Sequence, residues 1–210
     1  MIRLFWIFLL GSFMFLINAV QCQPSGTLKI GKDNFYFDRT EVTNIGWQEF
    51  LYYQKNKFGE NSKEYTNNFP DTIIWAKAYK GERFFSNRNK YSKFPVVGVT
   101  KTQAENYCKF RSEAVTKIYG KKVVYSLPSK SDYTLVINRK KSVYIQSAND
   151  YCKVKKNKIY GLCDKVSEIL SDENLAFGNH INESDKRCSV IEFKAANQYT
   201  GFRCKATVQK

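Results

Sequence analysis

Six cysteines, one histidine and a thin scatter of carboxylates are the side chains from which this chain could build chemistry. The cysteines stand at Cys22, Cys108, Cys152, Cys163, Cys188 and Cys204. No two have the C-x-x-C spacing of a dithiol redox or zinc motif, and His180 is the only imidazole, so no zinc site is expected. His180 itself, in the polar run Gly178-Asn179-His180, reads as an exposed loop residue. Cys188 follows Lys186 and Arg187, and neighbouring cations lower a thiol pKa and make the sulfur more reactive. That makes it the candidate catalytic thiol, against the plainer readings of a structural disulfide or an unpaired sulfur. Glu168 and Asp172 could coordinate a hard cation, although two acidic residues on a solvated turn explain them as simply.

The helix that would carry Cys108 is written in residues 94–120. Val96, Val97 and Val99 are β-branched and predict a buried strand, and Thr100 with Gln103 is a capping box that opens a helix. Ala104, Tyr107, Cys108, Arg111, Val115 and Ile118 then recur at helical spacing, and Gly120 stands where a left-handed cap is expected. Cys108 is thereby placed on the inward face of a helix of roughly five turns.

Other elements are legible in the same way. Phe35, Phe37 and Arg39 alternate with Tyr36, Asp38 and Thr40 as a strand, and Thr43-Asn44 caps a helix presenting Trp47, Phe50 and Leu51. Residues 54–68, polar and rich in Asn and Lys, read as a long exposed loop. Residues 123–128 predict a short strand stopped by Pro128, and Ser129 with Asp132 opens a further helix whose Tyr133, Val136 and Ile137 face inward. Strands are also read at 142–146 and 199–206, with a short strand or turn within 161–170. Three modest helices among short strands and long loops make the fold class irregular α+β.

The beginning of the chain is Met1-Ile2-Arg3, an apolar run from Leu4 to Val20, and a polar exit, which reads as a signal peptide over residues 1–22 and an exported protein. Cys22 either leaves with that segment or carries a lipid after cleavage. In both cases five of the six cysteines remain, an odd number, so one thiol is left free or reserved. Lysines and arginines number 34 against 19 acidic residues, a net charge of +15. An exported chain rarely meets nucleic acid and no arginine–aromatic stripe is present, so the charge reads as a solvated basic surface facing anionic headgroups or acidic glycans.

Five blocks stand in an order of their own. They are Phe37-Asp38-Arg39-Thr40-Glu41-Val42-Thr43-Asn44 with Trp47 and Phe50; residues 69–75 together with 94–111; Ser126-Leu127-Pro128-Ser129-Lys130-Ser131-Asp132-Tyr133; Ile159-Tyr160-Gly161-Leu162-Cys163-Asp164-Lys165-Val166; and Gly201-Phe202-Arg203-Cys204. Together they resemble the formylglycine-generating enzyme, or sulfatase-modifying factor, family, and the second resembles the branch found in bacterial gliding-motility lipoproteins. The resemblance implies a single C-type-lectin-like domain over 23–210, with few short helices, short antiparallel strands and long loops. It also implies a disulfide between Cys108 and Cys204, leaving Cys152, Cys163 and Cys188 to compete for one further bond. Closing so long a loop would contribute at most roughly 4 to 5 kcal/mol.

Family enzymes oxidise a sulfatase cysteine to formylglycine with copper and oxygen, holding the metal by a C-x-x-x-x-C pair just before the terminal block, because two soft thiolates suit Cu(I). Residues 179–199 contain only Cys188, and residues 167–172 stand where the family carries calcium ligands, replacing its motif. The implied function is a non-catalytic protein of the cell envelope with a structural or binding role, linked to gliding motility or protein secretion. No cofactor is expected, copper or calcium entering only if the family sites survive. The expected partner is an envelope protein or an anionic surface, not nucleic acid, with membrane contact only through a lipid on Cys22, in the periplasm, at the outer membrane or outside the cell. The alternatives are a copper-dependent formylglycine-generating oxidase and a lectin-like module that binds anionic glycan or lipid.

Overall fold

Local signals start and stop the helices. In the computed structural model the structure describes residues 23–31, 33–84, 90–139, 158–163, 166–178 and 188–209. Helix α1, Asn44–Phe58, begins where the Thr43 side chain accepts from the Gly46 amide, and buries Trp47, Phe50, Leu51 and Gln54 along one stripe. Residues 54–68 are therefore not the exposed loop their polarity predicts. α1 runs through the first part, a one-turn helix α2, Lys63–Thr66, capped by Ser62, fills the second, and Gln54 and Asn68 are buried. The reason is tertiary: Trp47 Nε1 donates to the Asn68 carbonyl at 3.1 Å and draws the segment onto the core. Helix α3, Thr72–Ala78, is absent from the sequence reading. It starts at Asp71, whose Oδ1 accepts from the Ile73 and Ile74 amides, and it buries Trp75.

Helix α4, Lys101–Tyr119, has the expected capping box and a left-handed Gly120 at its end. Ala104, Tyr107 and Cys108 face inward, but Ile118 is 82% exposed. Beyond Cys108, Phe110, Val115 and Tyr119 still pack against the core, and hydroxyls add to the docking: Ser112 Oγ accepts from the Tyr125 amide and Thr116 Oγ1 from the Val123 amide. Val96, Val97 and Val99 are buried without forming a strand. Only Pro95 bridges to Thr43, after which Gly98, at φ +74°, turns the chain against Asp71. A Cβ there would sit 2.9 Å from the Asp71 carbonyl.

The strands form two small sheets. β1 (Thr27–Lys29), β2 (Phe35–Asp38), β8 (Lys205–Val208) and β3 (Val123–Ser126) make an antiparallel sheet in the order β1-β2-β8-β3. β6 (Val190–Glu192), β5 (Leu175–Phe177), β4 (Ser167–Ile169) and β7 (Thr200–Gly201) make the second in that order, with β4 and β7 parallel and the other pairs antiparallel. The predicted terminal strand is thus divided, because Phe202, Arg203 and Cys204 leave the sheets to fill the interior. Helix α5, Lys130–Ile137, carries the Ser129–Asp132 capping box and buries Tyr133 and Val136.

One core joins α1, α3 and α4 to the first sheet around Trp47, which stacks on Tyr107 at 5.6 Å and meets Phe202 edge-on. A second gathers Phe37, Tyr133, Ile159, Leu162 and Phe177. The predicted signal segment, including Cys22, the predicted strand at 142–146, Cys152, His180, Lys186 and Arg187 lie outside the described residues. Among the described residues no helix is long and apolar enough to cross a membrane.

Candidate functional site

Arg203, in the break between β7 and β8, has no solvent exposure. Its Nε and Nη2 donate to the two carboxylate oxygens of Glu168 at 2.5 and 2.6 Å. Nη2 also donates to the Tyr160 carbonyl at 2.9 Å and Nη1 to the Asp38 carbonyl at 3.2 Å, while Glu41 Oε2 lies 3.9 Å away. Tyr133 donates its hydroxyl to Glu168, and its own pKa is pushed well up by burial and by that carboxylate. A cation removed from water this completely is tolerated only with paired charge and filled donors, and it has both. Gly161, at φ +71°, passes Glu41 so closely that a Cβ would lie 2.3 Å from Oε1. These groups are spent on one another, so the cluster locks five chain segments together, around residues 38–41, Tyr133, Tyr160, Glu168 and Arg203, rather than offering an acid or base to solvent.

Next to it lies the predicted cysteine pair. Cys108 on α4 and Cys204 are both buried, with sulfurs 3.3 Å apart as neighbouring thiols. The hydrogen bond to Cys204, then burial, pushes the Cys108 thiol well up, opposite to what a nucleophile or metal ligand requires. Asp38 Oδ2 accepts from the Cys204 amide at 2.9 Å and from Arg111 Nη1 at 2.5 Å, and the Arg111 guanidinium lies 4.1 Å over the Tyr125 ring. Cys188, the candidate catalytic thiol, is bonded to Cys163, with Cα atoms 5.3 Å apart. That sulfur is therefore no thiol in this structure.

Glu168 is 1% exposed on β4, which replaces the solvated turn expected of it. Asp172 Oδ2 accepts from the Lys130 amide at the start of α5, and the Asp172 and Ser171 carbonyls are held by the Lys101 ammonium at 2.9 and 2.8 Å. The two carboxylates are thus committed to separate partners, and among the described residues no group of three metal-ligating side chains occurs. Among the described residues the side chains do not fit the calcium and copper sites of the resemblance. The carboxylates are taken by an arginine and a helix start, one candidate sulfur is in a disulfide, and the other two are core thiols.

The sulfatase-modifying factor enzyme 1-like domain model matches residues 8–203. The chain belongs to this family. Its α+β build, with few short helices and two small sheets, is the C-type-lectin-like fold of the sulfatase-modifying factor domain. A solved structure to which it is similar is the crystal structure of CarF, 14% identical, covering 87% of this chain and 94% of that one at a TM-score of 0.45. No curated protein matches the chain. Within the sulfatase-modifying factor domain, the two cysteines for which the resemblance implied a disulfide, Cys108 and Cys204, stand as thiols 3.3 Å apart, and sequence reasoning missed Arg203, Glu41 and Asp38 as a buried charge system. Arg203 carried a signal, standing between Phe202 and Cys204 in the terminal block, whereas Asp38 and Glu41 stand in a polar run with Arg39, Thr40 and Thr43 that gave none.

Proposed function

We propose that this member of the sulfatase-modifying factor family is a non-catalytic protein of the cell envelope, exported and serving as a binding or structural component. The observation that carries this reading is that residues 179–199 contain a single cysteine, and its sulfur is joined to Cys163. Copper-dependent oxidation needs two thiolates there. The resemblance of residues 69–75 and 94–111 to gliding-motility lipoproteins supports a place in motility or secretion machinery, against an envelope protein or an anionic surface.

The test is incubation of the purified protein with Cu(I), oxygen and a cysteine-bearing sulfatase peptide, followed by mass spectrometry. The expected result is unchanged peptide. Aldehyde formation, or tight one-to-one Cu(I) binding that disappears in Cys188→Ser, overturns the proposal. Binding to immobilised envelope fractions at low and physiological salt then separates the partners, since an electrostatic surface contact weakens steeply with salt and a specific protein contact does not.

A further inference from the structure

A cleft of about 330 Å³ opens between α1, α2 and α4, on residues that neither the copper chemistry nor the buried charge system uses. Its lining is unusual in one respect: it combines four side-chain amides, Gln54, Asn67, Asn68 and Asn106, with the rings of Tyr53 and Phe110. Gln54 is only 8% exposed, and its Oε1 has no hydrogen-bond donor. An acceptor left so is costly, and the side chain that carries it is among those lining the cleft. Asn106 Nδ2 donates to Asn68 Oδ1 at 3.2 Å, and Asn68 Nδ2 to the Glu64 carbonyl at 2.6 Å. That network holds the floor in place before any ligand arrives.

The charges at the rim are unequally occupied. Lys57 is paired with Glu113 at 2.6 Å, and Tyr53 donates to the same carboxylate at 2.8 Å. Lys63 and Lys109 have no carboxylate partner among the described residues, and Glu64 also stands on the rim. Three lysines against two glutamates leave the mouth net positive by one charge.

We infer that this cleft binds an acidic saccharide unit of the uronic-acid kind. An amide offers both a donor and an acceptor, which is the complement of a sugar hydroxyl. Tyr53 and Phe110, 4.8 Å apart, supply apolar surface for the C–H side of a pyranose. The unpaired ammonium groups of Lys63 and Lys109 take the carboxylate. The volume lies at the low end of small-molecule sites, which suits one or two sugar rings. A phosphate or simple carboxylate would use the lysines and leave the buried amide idle. The inference gives the binding role a ligand, and it stands or falls separately from the absence of oxidase chemistry, because no cysteine takes part.

The test is calorimetric titration of the full chain with 4-nitrophenyl β-D-glucuronide and with the matched glucoside, which differs by carrying a hydroxymethyl group in place of the carboxylate. The glucuronide is expected to bind about tenfold more tightly than the glucoside, the difference a charge-assisted hydrogen bond supplies. Lys109→Gln, on the exposed rim, should remove that preference, and Gln54→Leu should weaken both ligands. Should Gln54→Leu fail to fold, Asn106→Ala at the half-exposed end of the network serves in its place. Equal binding of glucuronide and glucoside, absence of glucuronide binding, or displacement of glucuronide by equimolar acetate overturns the inference, the last by reducing the cleft to a plain anion patch. Retained affinity in both Lys109→Gln and the amide variant overturns it as well, by placing the ligand elsewhere.

Discussion

Arg203 keeps its charge in the protein interior because Glu168 meets it with both oxygens and Glu41 stands behind. Glu168→Gln leaves the guanidinium with Glu41 at 3.9 Å as its nearest carboxylate and weakens the acceptor of Tyr133. The expected loss is about 3 to 5 kcal/mol, the cost of breaking a buried pair from one side, read from urea midpoints. Gly161 answers to the same charges. Gly161→Ala would combine a left-handed backbone with a Cβ driven against Glu41, so it should destabilise by more than about 1 kcal/mol, whereas Gly120→Ala, at φ +65° with nothing within 4 Å, should cost less. Equal losses at the two glycines would show that the backbone alone, and not the carboxylate, sets the requirement.

Helix α5 shows how a cap becomes a pH-dependent joint. Burial by itself would raise the Asp132 pKa, but hydrogen bonds from Lys205 on β8 and from Ser129 outweigh it and hold the carboxyl below its ordinary value. A carboxyl whose pKa is depressed on folding contributes stability above its unfolded value of about 3.9, and that contribution is lost as pH falls through the lower folded value. Asp132→Asn is therefore expected to melt below the parent protein near neutral pH, with the gap closing below about pH 4. A gap that stays constant with pH in thermal melts would mean that the cap acts by geometry alone. Helix α4 is held differently. Its fully buried apolar residues end at Cys108, and the half that follows combines the partly buried Phe110, Val115 and Tyr119 with the Ser112 and Thr116 hydroxyls, which bond to β3.

At the scale of the molecule, one disulfide and one pair of neighbouring thiols bring distant parts of the chain together. The Cys163–Cys188 bond closes a separation of 25 residues beside β5, and Cys108 and Cys204, 96 residues apart, meet in the main core. Peptide mapping without reduction, after export to an oxidising compartment, is expected to find both Cys163 joined to Cys188 and Cys108 joined to Cys204, with Cys152 alkylated as the odd thiol. Loss of the longer link should cost at most roughly 4 to 5 kcal/mol. Recovery of Cys108 joined to Cys152 would contradict the arrangement of α4 against the carboxyl-terminal segment.

What the residues alone determined were the features whose causes are local. The caps at Thr43, Thr100 and Ser129, the stripe through Trp47, Phe50 and Leu51, the Gly120 stop and the α+β class all follow from chemistry within one or two turns of the chain. Polarity misled at residues 54–68 because Gln54 and Asn68 are polar groups buried by Trp47 and by α4, contacts that come from outside the segment. Glu168 read as solvated because the arginine that neutralises it lies 35 residues further on, and no local pattern announces such a partner. The choice of Cys163 for Cys188, the spending of Asp172 on Lys130 and the gathering of four amides at one cleft were likewise decided only in three dimensions. Side-chain chemistry is a property of composition, but burial, which sets whether a carboxylate or a thiol is available, belongs to the assembled fold.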